Sequence, residues 1–120
     1  MRENILIKTN HNMKQSFLPN CQGGKGYIDW TEILVNKDLK SKKIKFIHDD
    51  ILPPETSIGV NRHDKDEEYY YFISGKGIMT SDDEKYEFHV RDITAVFPGG
   101  SHGLENKFHD DLRILVICIY

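Results

Sequence analysis

Cysteine is scarce in this sequence. Cys21 and Cys118 are the two in 120 residues, too few and too far apart for a disulfide framework. Long apolar runs are missing as well. No stretch approaches the ~20 residues that span a bilayer, and the opening Met1-Arg2-Glu3-Asn4-Ile5 lacks the apolar segment of a secretory signal. The expectation is a cytoplasmic protein with no membrane partner. A basic excess is also absent: 16 Lys and Arg against 19 Asp and Glu leave a formal net charge of −3. Nucleic-acid binders usually carry a basic footprint, so no nucleic-acid partner is expected. The local cluster Lys37, Lys40, Lys42, Lys43 and Lys45 reads as a solvated loop and strand edge. No segment sustains a 3.6-residue apolar repeat with caps at both ends. Gly23, Gly24 and Gly26 lack the strand-before, helix-after context of a phosphate loop and read as a turn.

What remains is a run of short strands divided by turn signals, within a length that fits one domain. Lys43–Ile47 alternates, with Ile44 and Phe46 on one face, and Leu52-Pro53-Pro54 ends that passage, because proline removes a ladder donor. Residues 58–63 and 68–73 are rich in β-branched and aromatic side chains, which favour strands. Tyr86, Phe88 and Val90 alternate, residues 93–97 form an apolar run, and Pro98-Gly99-Gly100-Ser101 breaks it. The chain closes on a long strand whose two faces are both apolar: Ile114, Val116 and Cys118 on one, Leu115, Ile117 and Ile119 on the other. A sheet with one wet face alternates cleanly. The second face therefore meets either a partner subunit, making a homodimer, or the N-terminal segment. Many short strands at regular spacing predict an all-β sandwich or barrel, and a double-sheet jelly roll is one solution.

One stretch carries chemistry. Side chains at i and i+2 of a strand share a face, so Asn61 and His63 point together, and the polar turn 64–66 folds the next strand back beside them. Glu68, Tyr70 and Phe72 then share a face; if Phe72 is core, Glu68 points inward, where a carboxylate is costly without a cation or partner. His102 shares parity with Leu104 and Asn106, so it points inward if Leu104 is core. His63, Glu68 and His102 thus converge as two imidazoles and one carboxylate, a donor set suited to iron, manganese, cobalt, nickel or zinc. Glu67 falls on the solvent side with Tyr69 and Tyr71. His11, His48, His89 and His109 are expected on the surface, and Tyr70 and Phe72 as core that also walls a substrate pocket.

These residues resemble the cupin superfamily. Its first motif, Gly-x5-His-x-His-x(3,4)-Glu-x6-Gly, is matched by Asn61, His63, Glu68 and Gly75; its second, Gly-x5-Pro-x-Gly-x2-His-x3-Asn, by Arg91, Pro98 one place late, His102 and Asn106. The departures are Asn61 where the family has its first metal histidine, Arg91 for glycine and Phe97 for proline. The resemblance covers residues 44 to 120. It implies a single-domain cupin with the all-β double-stranded β-helix (jelly-roll) barrel over residues 41–120, and a strand or loop extension over 1–40 packed on it. It implies one divalent transition metal held by His63, Glu68, His102 and, weakly, Asn61. Two functions stay open. The barrel acts on a small polar metabolite (a sugar, keto acid or small aromatic) by isomerase- or dioxygenase-like chemistry, or it binds and senses a small molecule through a degenerate metal site without turnover.

Overall fold

The computed structural model describes residues 4–120; residues 1–3, part of the opening read above for a signal, lie outside the described residues. Alternating stretches form strands: β1 (Lys14–Pro19), β2 (Tyr27–Val35), β3 (Ile44–Leu52), β4 (Thr56–Arg62), β5 (Glu67–Ser74), β6 (Gly77–Ser81), β7 (Glu84–Phe88), β8 (Ile93–Val96), β9 (Ser101–Asn106) and β10 (Leu112–Ile119). The only helix among the described residues is three single 3-10 turns. The strands make two antiparallel sheets, one of six in the order β1-β2-β3-β10-β5-β8 and one of four in the order β4-β9-β6-β7. From β3 onward successive strands are shared between the two sheets, as a double-stranded β-helix requires. Among the described residues, no helix is long and apolar enough to cross a membrane.

The core lies between the sheets. On β10 the even positions Leu112, Ile114, Val116 and Cys118 are buried, whereas Leu115, Ile117 and Ile119 on the other face are half-buried. Phe72 from β5 is fully enclosed and stacks on Phe88 from β7 at 5.5 Å, and it shares one core cluster with Leu52, Leu104 and Ile28. Each such side chain removed from water stabilises the fold by about 1.5–3 kcal/mol. The N-terminal third does not stand apart from this layer. β1 pairs with β2, and β2 pairs with β3 through Asp29↔Ile51 and Trp30↔Asp50, so both strands widen the six-stranded sheet.

Two boundaries differ from the sequence reading, and both matter for the site. β3 runs past residue 47 to Leu52, where Pro53 stops it, which carries His48 and Asp50 into the sheet. β4 ends at Arg62, one residue before His63. The His63 amide donates to Gly100 O at 2.9 Å and its carbonyl accepts from Gly99 N at 2.7 Å. His63 is thereby tied to the Pro98–Gly100 turn instead of to the ladder.

Glycine is obligatory at two places. Gly75 takes φ +81°, and a Cβ there would come within 2.2 Å of Asp111 O. Gly59 lies against the Cys21–Gly23 turn so closely that a Cβ would meet Gln22 O at 2.0 Å. This contact seats the glycine-rich turn on β4. Arg91 adopts φ +76°, the left-handed backbone that costs an L-residue about 1–2 kcal/mol; its amide donates to Phe72 O on β5 at 2.8 Å, and Asp92 N closes the turn on His89 O at 3.0 Å.

Asn106, 1 % exposed, knits the loop before β10: its Nδ2 donates to Leu52 O and Asp110 O, both at 2.8 Å, and its Oδ1 accepts from Phe108 N at 2.9 Å. Asn106→Ala leaves those backbone groups without partners, at about 1–3 kcal/mol for each one sealed from water. Urea unfolding of that variant is expected to show a loss of about 3 kcal/mol with an unchanged m-value; a loss below about 0.5 kcal/mol would show that the loop does not depend on it.

Candidate metal centre

The cross-strand register sets the site. Asn61 on β4 lies opposite His102 on β9, and Glu68 on β5 lies opposite Cys118 on β10. All three residues read as a convergent set are buried: His63 7 %, Glu68 8 % and His102 2 % exposed. The His102 Nε2 is 3.0 Å from Glu68 Oε1 and 3.1 Å from His63 Nε2, and the His63 Nε2 is 3.5 Å from the same carboxylate oxygen. Three donor atoms thus face one another within 4.8 Å. Neighbouring ligands on one ion, each bonded at about 2.1 Å, stand about 3 Å apart, so the chemistry and spacing of this set fit a divalent cation. The Asn61 amide is 3.1 Å from His63 Nε2. It sits at the rim of the cluster and can turn its oxygen toward it.

A residue absent from the sequence reading supports this cluster. Asp66, placed there only in a polar turn, has Oδ1 2.7 Å from His63 Nδ1. An imidazole that donates from Nδ1 to a carboxylate presents Nε2 as a lone pair, the arrangement metal-binding histidines use. Asp66 also accepts from Lys45 Nζ at 3.0 Å and Cys118 Sγ at 3.5 Å. Burial alone would raise its carboxyl, but the hydrogen bonds from His63, Lys45 and Cys118 outweigh that and hold it down to about 2. The signal in the sequence is an acid three residues after the histidine, which a polar-turn reading passes over. His102 is held by its ring, stacked on Tyr70 at 4.7 Å.

A cavity of about 610 Å³ opens beside the cluster, with Asn61, His63, Glu68 and Tyr70 in its wall. Phe72 does not line it; it belongs to the core against Phe88. The opposite wall is β3, and here His48 departs from the expected surface position. Phe46, His48, Asp50 and Leu52 continue one parity, opposite the inward Cys118, Val116, Ile114 and Leu112 of β10. Extending the alternation of Ile44 and Phe46 would have found them. Trp30 Nε1 donates to His48 Nδ1 at 3.0 Å. Tryptophan only donates, so His48 is the Nε2–H tautomer. Burial pushes His48 down to about 4, with Glu68 opposing, and it is uncharged at neutral pH. Asp50 is 7 % exposed, and its Oδ1 has no partner among the described residues. Burial, then the negative charge of Glu68, Asp49 and Asp29, pushes it up to about 8.

Comparison with known proteins agrees with this architecture. The family model described as "Cupin domain" matches residues 49–118. An oxalate-binding protein of Thermotoga maritima is 28 % identical over 102 residues, spanning 85 % of this chain and 84 % of that protein. An uncharacterized protein of Methanocaldococcus jannaschii is 36 % identical over 70 residues, 58 % of this chain and 55 % of the other. Among solved structures, that of a predicted oxalate decarboxylase from Thermotoga maritima superposes with a TM-score of 0.88 at 24 % identity, covering 95 % of this chain and 98 % of that one.

The buried wall makes stability depend on pH. Above about pH 4 the folded protein keeps a proton on Asp50 that the unfolded chain has released, whereas between about pH 4 and 6.5 the unfolded chain holds a proton that folded His48 lacks. The two slopes oppose and cancel up to about pH 6.5. Above it Asp50 acts alone, facing Asp29 on β2, its neighbour Asp49 and Glu68 on β5. Metal-stripped protein is therefore expected to lose about 1–1.5 kcal/mol between pH 6.5 and 8 in urea titrations at constant ionic strength, and Asp50→Asn to flatten that slope. A wild-type curve already flat over this range would contradict the assigned protonation.

Proposed function

The chain belongs to the cupin domain family, and on that premise we propose that it holds one divalent transition metal and uses it to bind a small carboxylic acid in the barrel. The observation that carries this is the convergence of His63 Nε2, His102 Nε2 and Glu68 Oε1 within 4.8 Å in a buried setting. Two imidazoles and a carboxylate suit iron, manganese, cobalt, nickel or zinc, and leave positions open for a ligand. A bound ion supplies a Lewis acid to which carboxylate oxygens bind. The chain's own contributions are separate: Asp66 orients His63, Tyr70 props His102 by stacking, and Asn61 offers its amide at the open rim. The oxalate-binding description of the Thermotoga maritima relative supports an acid in preference to a sugar or an aromatic.

Binding without turnover is favoured over isomerase- or dioxygenase-like chemistry, because Asn61 supplies an amide where the family pattern has a third imidazole, a weaker donor to these ions. Three further readings accompany it. The outer face of the larger sheet carries half-buried Leu115, Ile117 and Ile119 beside Tyr71, Ile73 and Ile93, which are 39 %, 38 % and 63 % exposed; it serves as the homodimer interface. Cys21 and Cys118 are free thiols, in keeping with a reducing cytoplasm. β1 and β2 precede the span matched by the family model and extend the larger sheet beyond a barrel that begins near residue 41.

Protein purified without chelator is expected to carry close to one transition-metal ion per chain by elemental analysis. His63→Ala and His102→Ala should abolish it, Asp66→Ala should weaken affinity 10–100-fold, and Asn61→His should tighten it. Full occupancy in either histidine variant would remove the assignment. Binding of oxalate to the metal-loaded protein, followed by calorimetry, tests the ligand class. Light scattering is expected to give twice the chain mass; a monomer at high concentration would exclude the sheet-face dimer.

A further inference from the structure

The cluster of His63, Glu68 and His102 lies at one end of the polar equipment of the cavity, and the β3 wall forms another that the cluster does not use. Asp50 and His48 line the same cavity but come from the other side of β10. On the inner face Glu68 pairs with Cys118, which pairs with Phe46, whereas Asp50 pairs with Ile114, which pairs with Phe72. Asp50 is thus two strands away from Glu68 and two inward positions further along the barrel.

Nothing in the fold explains a carboxyl there. Its cross-strand neighbours are Ile114 and Trp30, its Oδ1 is sealed from solvent and unpartnered, and the group is 7 % exposed. A buried polar group without a partner destabilises a protein, and a leucine or valine would fit an inward position better. The adjacent His48 is fixed by Trp30 as the Nε2–H tautomer, which adds a second neutral donor. The cavity of about 610 Å³ falls within the ~300–1,000 Å³ that enclose drug-sized ligands. Oxalate, with six non-hydrogen atoms, fills only a fraction of it.

We propose that Asp50, with His48 beside it, is a second ligand anchor that selects acids longer than oxalate, taking an acceptor oxygen at the end of the molecule away from His63, Glu68 and His102. This rests on the acid-binding reading above and deepens it. A proton retained on Asp50 near neutrality makes it a donor, so the distal group it selects is a second carboxylate or a carbonyl. The chain's single tryptophan, Trp30, hydrogen-bonds to His48 and reports occupancy of this end by its fluorescence.

The test uses metal-loaded protein titrated with straight-chain dicarboxylates of two to six carbons and with monocarboxylates of matched length, read by calorimetry and Trp30 emission. Wild type is expected to prefer one of the longer diacids over its matched monoacid at least tenfold, with a change in emission that oxalate does not produce. Asp50→Leu should reduce that preference to about twofold or less, with metal stoichiometry and oxalate affinity unchanged and thermal stability equal or higher. Asp50→Asn, which keeps a donor, should retain part of the preference. No diacid preference in wild type, or one that survives in Asp50→Leu, overturns the second anchor, as does a variant that changes stability alone, the signature of a purely structural or water-filled site. If longer diacids bind in an Asp50-dependent way but oxalate does not, this anchor stands and oxalate itself falls as a ligand. If no acid binds metal-loaded protein, the acid-binding reading fails and the anchor with it.

Discussion

Burying the Glu68 carboxylate between two imidazoles is the constraint on which the rest of the barrel depends. At 8 % exposure the charge has lost most of its water, and an uncompensated buried charge is costly enough to reshape or unfold a small domain. A cation held jointly with His63 and His102, whose Nε2 atoms lie 3.5 and 3.0 Å from Glu68 Oε1, would supply the compensation. Those two residues arrive from different parts of the chain, 39 residues apart, and from the sheet opposite Glu68. The site can therefore exist only when both sheets are in register.

Around that cluster the fixing devices differ in kind. His63 lies beyond the end of its strand and is fastened by two backbone hydrogen bonds to the turn before β9, then aimed by Asp66 through Nδ1. His102 is a strand residue, positioned by the β4–β9 ladder and by the face of Tyr70. Asp66 ties the same corner to Lys45 on β3 and Cys118 on β10. One carboxylate thereby links two strands of the larger sheet, β3 and β10, to the loop that carries a site histidine. Truncating it would loosen an orientation more than it would empty a core.

The β3 wall follows the opposite logic. His48 and Asp50, with Trp30 beside them on β2, put polar atoms where apolar packing would be more stable, and Asp50 leaves an oxygen unpartnered. Departures from local optimum of this kind concentrate where a protein meets a ligand. The core on the other side, Phe72 against Phe88 in one cluster with Leu52 and Leu104, shows no such departure.

Local chemistry alone determined a good deal here. Period-2 alternation placed most strands, Pro53 and the Pro98–Gly100 breaker placed their ends, and the spacing of His63, Glu68 and His102 marked the residues that meet. Parity separated Glu68 from Glu67 because strand side chains alternate without exception over so short a run. What only the tertiary structure decided is which inward faces meet one another. β10 inserts between β3 and β5, so Asp49 finds Arg113 across 64 residues, and His48 and Asp50 become a cavity wall instead of surface. The same folding kept Phe72 out of the cavity wall and brought Lys45 and Cys118 to Asp66. Alternation fixes a side chain's face relative to its own strand, but strand order depends on pairings between distant segments, whose free energy resides in long-range burial and leaves no local mark in the sequence.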